Sequence, residues 1–339
     1  MSPTHQPAGA HRVLVTGGAG FIGSHLVEHL VASGCDVTVV DDLSTGRASN
    51  LDGVRDRVTL IESDLGEAIG TLADAPPFQR VFHLAAAVGV DLVLTDPVRA
   101  IEVNVETTSA LLRHLAAHGR PPTLVASSSE VYGKPGTSVF SEDDDAIYGS
   151  TTVTRWSYAH AKALDEHLAL GYHATRGLPT VVTRFFNTIG PRQRGVYGMV
   201  VPRFVEAALD ARPLRVFGDG GQSRCFCDVR DVVPVLPRLL DDAACHGRVF
   251  NLGSDRDITI LALAEAVVRT LGSSSGIVRV PYADAYPSGF EDLRQRRPDL
   301  ARVRRAVGFE PAIGLERTIR DVAEQIRAER NSQRAGGVR

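Results

Sequence analysis

The 339-residue chain is poor in cysteine, methionine and tryptophan, with four, two and one. Cysteines 35, 225, 227 and 245 are too few and too scattered to frame a disulfide scaffold. No apolar run approaches the roughly 20 residues a membrane helix needs. Residues 1–10 are polar and lack the apolar core of a signal peptide. A cytoplasmic protein is therefore expected. Charge of either sign is not in excess: 37 Lys and Arg face 40 Asp and Glu, a net of −3. That balance excludes a broad nucleic-acid footprint or a polybasic membrane anchor, but not a local basic pocket for a small anion. Metal spacing is also missing. Cys225-Phe-Cys227 has no second Cys or His pair to complete a zinc set. His25, His29, His114 and His118 lie on helical stretches that read as surface. No metal site is expected.

What is present is apolar content of 43%, enough for a core and against global disorder. The length suits one large or two modest domains. Residues 1–10 and 330–339 have no apolar period and read as frayed tails. In the first half, β-branched strand runs at 12–16, 36–41, 57–62, 80–85, 123–127 and 179–184 alternate with helical patterns. One helix stacks Ile22, Leu26 and Leu30 at four-residue spacing, and others cover about 98–118 and 156–176. Continuous apolar strands alternating with helices predict an α/β fold, a Rossmann-like doubly wound parallel sheet covered on both faces. After residue 185 Gly, Pro and Arg become dense. Short helices at about 202–210, 231–240 and 260–271 mix with strands at 214–217 and 248–252. The expectation is a Rossmann domain over 11–184 and a smaller C-terminal α/β substrate domain over 185–329. Their boundary is blurred, because strand 248–252 could return to the main sheet.

Val13-Leu-Val-Thr-Gly17-Gly-Ala-Gly20-Phe-Ile-Gly23 joins a strand directly to a helix. Gly17 would allow the tight turn, Gly20 the approach of a pyrophosphate, and Gly23 close packing of helix on strand. Phe21 and Ile22 lie between the last two glycines, at a helix N-terminus whose free N–H groups suit phosphate. The second strand ends in Asp41, where a carboxylate can bind both ribose hydroxyls and repel a 2′-phosphate. NAD, rather than NADP, is the cofactor this pattern fits. Asp64, ending the third strand region, could reach the adenine.

Tyr158 and Lys162 are four apart on a predicted helix and share a face. A free tyrosine is a poor base at neutral pH. A nearby ammonium and the positive nicotinamide favour the phenolate, which can take a hydroxyl proton as hydride leaves the same carbon.

The Gly-x-x-Gly-x-x-Gly spacing together with Tyr158-Ala-His-Ala-Lys162 resembles the extended short-chain dehydrogenase/reductase superfamily. The resemblance runs over about 11–325. It extends to His83-Leu84-Ala85-Ala, Asn104-Val, Ser127-Ser-Ser-Glu-Val-Tyr-Gly133 and Arg184-Phe-Phe-Asn187 leading to Gly190-Pro-Arg192. It points to the nucleotide-sugar branch. It implies that Leu84 and Ala85 face the cofactor and that Ser128 hydrogen-bonds the reacting oxygen. Glu130 discriminates within the branch. Simple sugar epimerases usually lack a carboxylate there. The 4,6-dehydratases carry Asp-Glu after their Thr, and here Ser129 stands at the Asp position. Ser129-Glu130 is similar to nucleotide-sugar decarboxylases.

Arg155-Trp156-Ser-Tyr158, Gln222-Ser-Arg224-Cys-Phe, Gly289-Phe-Glu-Asp292 and Arg297-Pro-Asp299 resemble the UDP-glucuronate decarboxylase domain of the bacterial polymyxin-resistance enzyme. The UDP-xylose synthases are similar too, but differ before the tyrosine, where this chain has Thr-Arg-Trp. The resemblance implies that Arg297 lies near the sugar carboxylate and C5. It places Arg203 toward substrate, Arg224 on the diphosphate and Asn187 on diphosphate or sugar. A guanidinium suits these roles because it stays charged and forks onto carboxylate or phosphate. The implied activity is NAD-dependent decarboxylation of UDP-glucuronate through a 4-keto intermediate, to UDP-xylose or a released 4-keto pentose. Glu130 and Arg297 would share proton delivery to C5 and carboxylate orientation. The alternatives are a nucleotide-sugar 4-epimerase and, in another class, a non-catalytic NAD-binding regulator. The helices at 98–118 and 156–176 resemble those that pair in the superfamily's dimers, which implies a homodimer.

Overall fold

A computed structural model describes residues 11–73, 75–195, 199–284 and 293–336. Its centre is a seven-stranded sheet. In chain order the strands are β1 (Arg12–Thr16), β2 (Asp36–Asp41), β3 (Val58–Glu62), β4 (Arg80–His83), β5 (Thr123–Ser128), the short β6 (Val139–Phe140) and β7 (Thr180–Phe185). Beyond them come β8 (Thr188–Ile189), β9 (Leu214–Phe217), β10 (Ser223–Cys225), β11 (Cys227–Asp228) and β12 (Arg248–Leu252). The last are β13 (Asp257–Thr259), β14 (Ile277–Val280) and β15 (Arg297–Pro298). The spatial order of the central sheet is β12-β7-β5-β4-β1-β2-β3, and every pairing in it is parallel. Val13, Leu14 and Val15 are fully buried, as expected of a strand covered on both faces.

The helices are α1 (Phe21–Ala32), α2 (Leu65–Ala73), α3 (Val90–Thr95), α4 (Pro97–Ala117), α5 (Trp156–Arg176) and α6 (Val200–Leu209). They continue with α7 (Val229–Val232), α8 (Val235–Asp241), α9 (Ile260–Leu271), α10 (Ala301–Val307) and α11 (Leu315–Gly336). Asp96 caps α4 by accepting from Arg99 N, with Pro97 at its first turn. The chain winds from β1 outward to β3, then restarts at β4 on the other side of β1. Ligands of such sheets bind at this switch point, outside the carboxyl ends of the strands.

A second core, built around Val205, Leu214, Val267 and Ile319, joins α6, α9 and α11 beneath the parallel pair β9–β14. The residues of this second core all come after residue 185. The two lobes are interleaved in sequence: β12 pairs with β7, and Val229 through Leu240 pack into the main core. The helix expected over 231–240 is two pieces. Pro234 immediately precedes α8, where it cannot donate into a preceding helical turn.

One expectation is corrected. Residues 330–336, read as a tail, continue α11. Arg330 pairs with Asp210 at 2.7 Å, at the end of α6, so the helix is held by charge where the apolar period has run out. Residues 1–10, 337–339 and the Gly289-Phe-Glu-Asp292 segment lie outside the described residues.

Candidate active site

A cavity of about 650 Å³ opens at the switch point and runs between the two lobes. Gly17, Gly20, Phe21, Ile22 and Gly23 line one end. Gly17 has φ +71°, and a Cβ there would stand 2.6 Å from Ala85 N. A Cβ on Gly23 would meet Gly17 O at 2.0 Å, so helix and loop touch backbone to backbone. At Gly20 the nearest atom to a Cβ is Gly17 O at 3.2 Å, which leaves the loop's cavity side bare.

Asp41 also lines this end, its two oxygens accepting from Ala19 N at 2.8 Å and Leu43 N at 2.9 Å. Each oxygen keeps further acceptor capacity toward the cavity. Burial raises its pKa, against the pull of those backbone donors. Asp64 lines the cavity while accepting from Gly66 N. Leu84 and Ala85 complete this end, tied to β1 through Leu84 N to Thr16 O and Ala85 N to the Thr16 hydroxyl. A bare glycine backbone at a helix N-terminus with a carboxylate after the next strand is the donor and acceptor set a dinucleotide requires. The residues fit NAD.

Beneath the middle of the cavity, His83 bridges the Thr16 and Thr108 hydroxyls at 2.7 and 2.9 Å. Burial, assisted by the Lys162 charge, lowers its pKa to about 3, so it is a neutral core residue. Asn104 holds the loop after β4 through both backbone groups of Ala87.

Ser128 ends β5, and its hydroxyl accepts from Glu130 N at 3.2 Å, turning the chain so that Ser129 and Glu130 face the cavity. Tyr158 and Lys162 face it from α5. Burial raises the Tyr158 pKa; Lys162 and a hydrogen bond with Ser128 pull it down, while Glu130 pushes it up. Lys162 is buried and bound to Asp165 at 2.8 Å. Burial disfavours its charge, but Asp165 and then Tyr158 more than compensate, so it is held as an ammonium.

Glu130 is gripped from two sides. Arg296 Nη1 donates to Oε1 at 2.7 Å, and Arg155 Nη2 approaches Oε2 at 3.4 Å. Burial alone would raise the Glu130 pKa, but Arg296 and Arg155 outweigh it and hold it at about 2. Arg296 also donates to Ser129 Oγ at 3.3 Å.

This corrects the assignment of Arg297, which is not among the cavity-lining residues. It is the first residue of β15 and pairs with Val139 of β6. Successive side chains along an extended segment point to opposite sides, so a shift of one residue exchanges the site arginine for its neighbour. Arg155 was not singled out as a site residue either. Its signal was its place three residues before Tyr158, one helical turn upstream on the same face.

The smaller lobe supplies Arg203 from α6 and Arg224 from β10, both at the cavity wall. Arg203 and Arg215 stand over the Phe217 ring at 5.2 and 5.8 Å. Arg215 also lines the cavity and was missed, because one exposed arginine on a short strand has no distinctive pattern. Arg224 is nine-tenths buried and donates to the Ser223 and Leu293 carbonyls. Asn187, with φ +37°, lines the cavity while its amide donates to Cys225 O at 3.0 Å.

Residues 13–253 match the family described as the NAD dependent epimerase/dehydratase family. The chain belongs to that family. Among its relatives, the UDP-N-acetyl-alpha-D-glucosaminuronate decarboxylase of Bacillus cytotoxicus is 40% identical over 317 residues, 93% of this chain and 98% of that protein. UDP-glucuronic acid decarboxylase 1 of Arabidopsis thaliana is 34% identical over 323 residues, 93% of this chain and 70% of the relative. In fold, the family likeness extends to the UDP-glucuronic acid 4-epimerase of Bacillus cereus, solved with UDP-glucuronic acid and NAD. It is 27% identical with a TM-score of 0.82, covering 94% of this chain and 99% of that one.

Proposed function

We propose that the protein decarboxylates a UDP-hexuronate, UDP-glucuronate in the first instance, through a C4-keto intermediate. The observation that carries this reading is the Glu130–Arg296–Arg155 cluster, set beside Tyr158 and Ser128 in one cavity. Tyr158 takes the C4 hydroxyl proton, with the Lys162 ammonium behind it. When bound, NAD accepts the C4 hydrogen as hydride and can return it. The oxidised sugar is a β-keto acid, whose carboxylate can leave as carbon dioxide while charge develops on the C4 oxygen. Ser128 and the protonated Tyr158 face that oxygen and stabilise it. Arg296 and Arg155 orient the sugar carboxylate through forked bonds. Glu130, ionised at neutral pH, aligns these guanidiniums rather than serving as a resident acid. Arg203, Arg224 and Asn187 hold the diphosphate side. Once C5 has taken a proton from water to give the 4-keto pentose, reduction of the keto group ends at UDP-xylose, and release before reduction ends at the 4-keto pentose. The enzyme works in the cytoplasm as a homodimer joined through α4 and α5, where Val98, Ile101 and Leu164 are exposed.

Two observations favour other substrates or endings. The 40% identical Bacillus relative is named for the 2-acetamido sugar acid, and a similar fold carries 4-epimerisation of UDP-glucuronic acid. The experiment is to supply NAD with UDP-glucuronate and, in parallel, its 2-acetamido analogue. Carbon dioxide and the sugar product are scored in the same reaction by mass spectrometry. Carbon dioxide from either substrate supports decarboxylation, and the faster one names the sugar. UDP-galacturonate forming without carbon dioxide would install the epimerase instead.

A further inference from the structure

The stripe of α5 that carries Tyr158 and Lys162 continues to Asp165, at positions i, i+4 and i+7 of one helix face. Asp165 is fully buried, and its Oδ2 accepts from Lys162 Nζ at 2.8 Å. Its other oxygen, Oδ1, is buried and makes no hydrogen bond. A buried ion pair is a poor stabilising device, because desolvation offsets its attraction, and an apolar residue at this helix position would pack at no such cost. A half-satisfied carboxylate makes a purely structural account weaker still.

The surrounding charges are otherwise spoken for. Glu166, next on the helix, binds Arg184 of β7 at 2.7 and 2.9 Å and the Ser127 hydroxyl of β5. His83 of β4 is neutral. Glu130, two residues past β5, is locked to Arg296 and Arg155. Tyr158 therefore feels Lys162 most strongly, opposed by Glu130 and to a lesser degree by Asp165, and of these two carboxylates Asp165 is the one bound to Lys162.

We propose that Asp165 is a positioning residue that cancels much of the Lys162 charge at Tyr158, so that ionisation of Tyr158 follows the oxidation state of the nicotinamide. An unbalanced ammonium would hold the phenol ionised in every state. With the pair near neutral, the deciding charge is the positive ring of the oxidised cofactor. Tyr158 is then a base before the C4 hydrogen leaves. It keeps its proton afterwards, when the C4 oxygen needs a donor. Burial chiefly raises the Tyr158 pKa, with Glu130 and then Asp165 adding to it against the pull of Lys162.

The inference rests on Tyr158 being the base of the proposed reaction, and its test needs no turnover. The phenolate of Tyr158 is titrated by ultraviolet difference spectroscopy against Tyr158→Phe, with NAD bound and with NADH bound. In the wild type the midpoint should be at least about one pH unit lower with NAD. Equal midpoints overturn the proposal, and this holds even if no variant folds. Asp165→Asn should lower the NADH-bound midpoint toward the NAD-bound one and shift both limbs of the pH–rate profile to lower pH. Asp165→Glu should restore the wild-type midpoints even where the rate falls. A slower Asp165→Asn enzyme with unmoved midpoints would mean the pair is only structural. Absence of carbon dioxide would remove the decarboxylase reading and leave these titrations standing.

Discussion

The two ends of the cavity are built by opposite means. The cofactor end comes mostly from one contiguous stretch, β1, the glycine loop, α1 and β2, closed by Asp64, Leu84 and Ala85, and much of its surface is backbone. The substrate end is assembled from side chains far apart in sequence: Glu130 after β5, Arg155 before α5, Arg203 on α6, Arg224 on β10 and Arg296 before β15. At the first end Gly17 and Gly23 tolerate no added atom, since a Cβ at Gly23 would overlap the Gly17 carbonyl and one at Gly17 the Ala85 backbone. The second depends on the register of each contributing segment. A backbone site is specified by spacing, and a side-chain site by which of two neighbours faces inward.

The comparison breaks most severely at Tyr158, which lies between the two ends. Tyr158→Phe should lower sugar oxidation by about 100- to 10,000-fold while NAD still binds, measured by turnover beside a cofactor titration. Activity within a few-fold of wild type would mean another base acts. On the substrate end, Arg296→Lys should cost roughly 100-fold in carbon dioxide release, since an ammonium cannot reproduce a fork and misplacement is penalised on that scale. Arg297→Lys should stay within a few-fold, and the reverse ranking would restore the sequence-based assignment.

Glu130→Gln should also fall by about 100-fold, because Arg296 and Arg155 lose the carboxylate that aligns them. It carries a second readout. Glu130 is held at about 2 against an ordinary 4.5, so its ion pairs stabilise the fold fully above that ordinary value. The contribution is lost as pH falls from 4.5 toward 2. Glu130→Gln should flatten that part of the acid-unfolding curve, and an unchanged curve would show the pairs to be unimportant for folding.

At the cofactor end, Asp41→Asn should narrow the preference for NAD over NADP by about tenfold, equivalent to about 1.4 kcal/mol, in parallel binding titrations. Equal affinities in the wild type would remove Asp41 from the ribose. The smallest effect is expected far from both ends. Arg330→Ala should cost less than about 1 kcal/mol in denaturant unfolding, as a partly exposed ion pair.

The same contrast governs how much could be read without coordinates. Five of the six strands expected in the first half keep at least one predicted terminus, because buried parallel strands are unbroken apolar runs with polar ends. The sixth, β7, lies one residue later at both ends. The glycine loop, Asp41, Tyr158 and Lys162, which spacing and the family resemblance point to together, line one cavity. Arg296 was not legible, because two adjacent arginines differ only in facing, and facing is set by the pairing of β15 with β6. Arg215 carried no pattern. The continuation of α11 past Glu329 was hidden because its support there, Asp210, lies on another element.

The placement of β12 has a consequence for synthesis. The edge of β7 that it covers, Thr-Val-Val-Thr-Arg-Phe, is complete at residue 185, but its partner ends at residue 252. At ordinary elongation rates of about 5–20 residues per second, the nascent sheet waits about 3–13 s with that apolar edge unpaired. Through this interval the emerging protein offers a template for strand addition by neighbouring chains. Yield in the cell should then depend on how crowded the ribosomes are, and on what shelters the edge until β12 arrives.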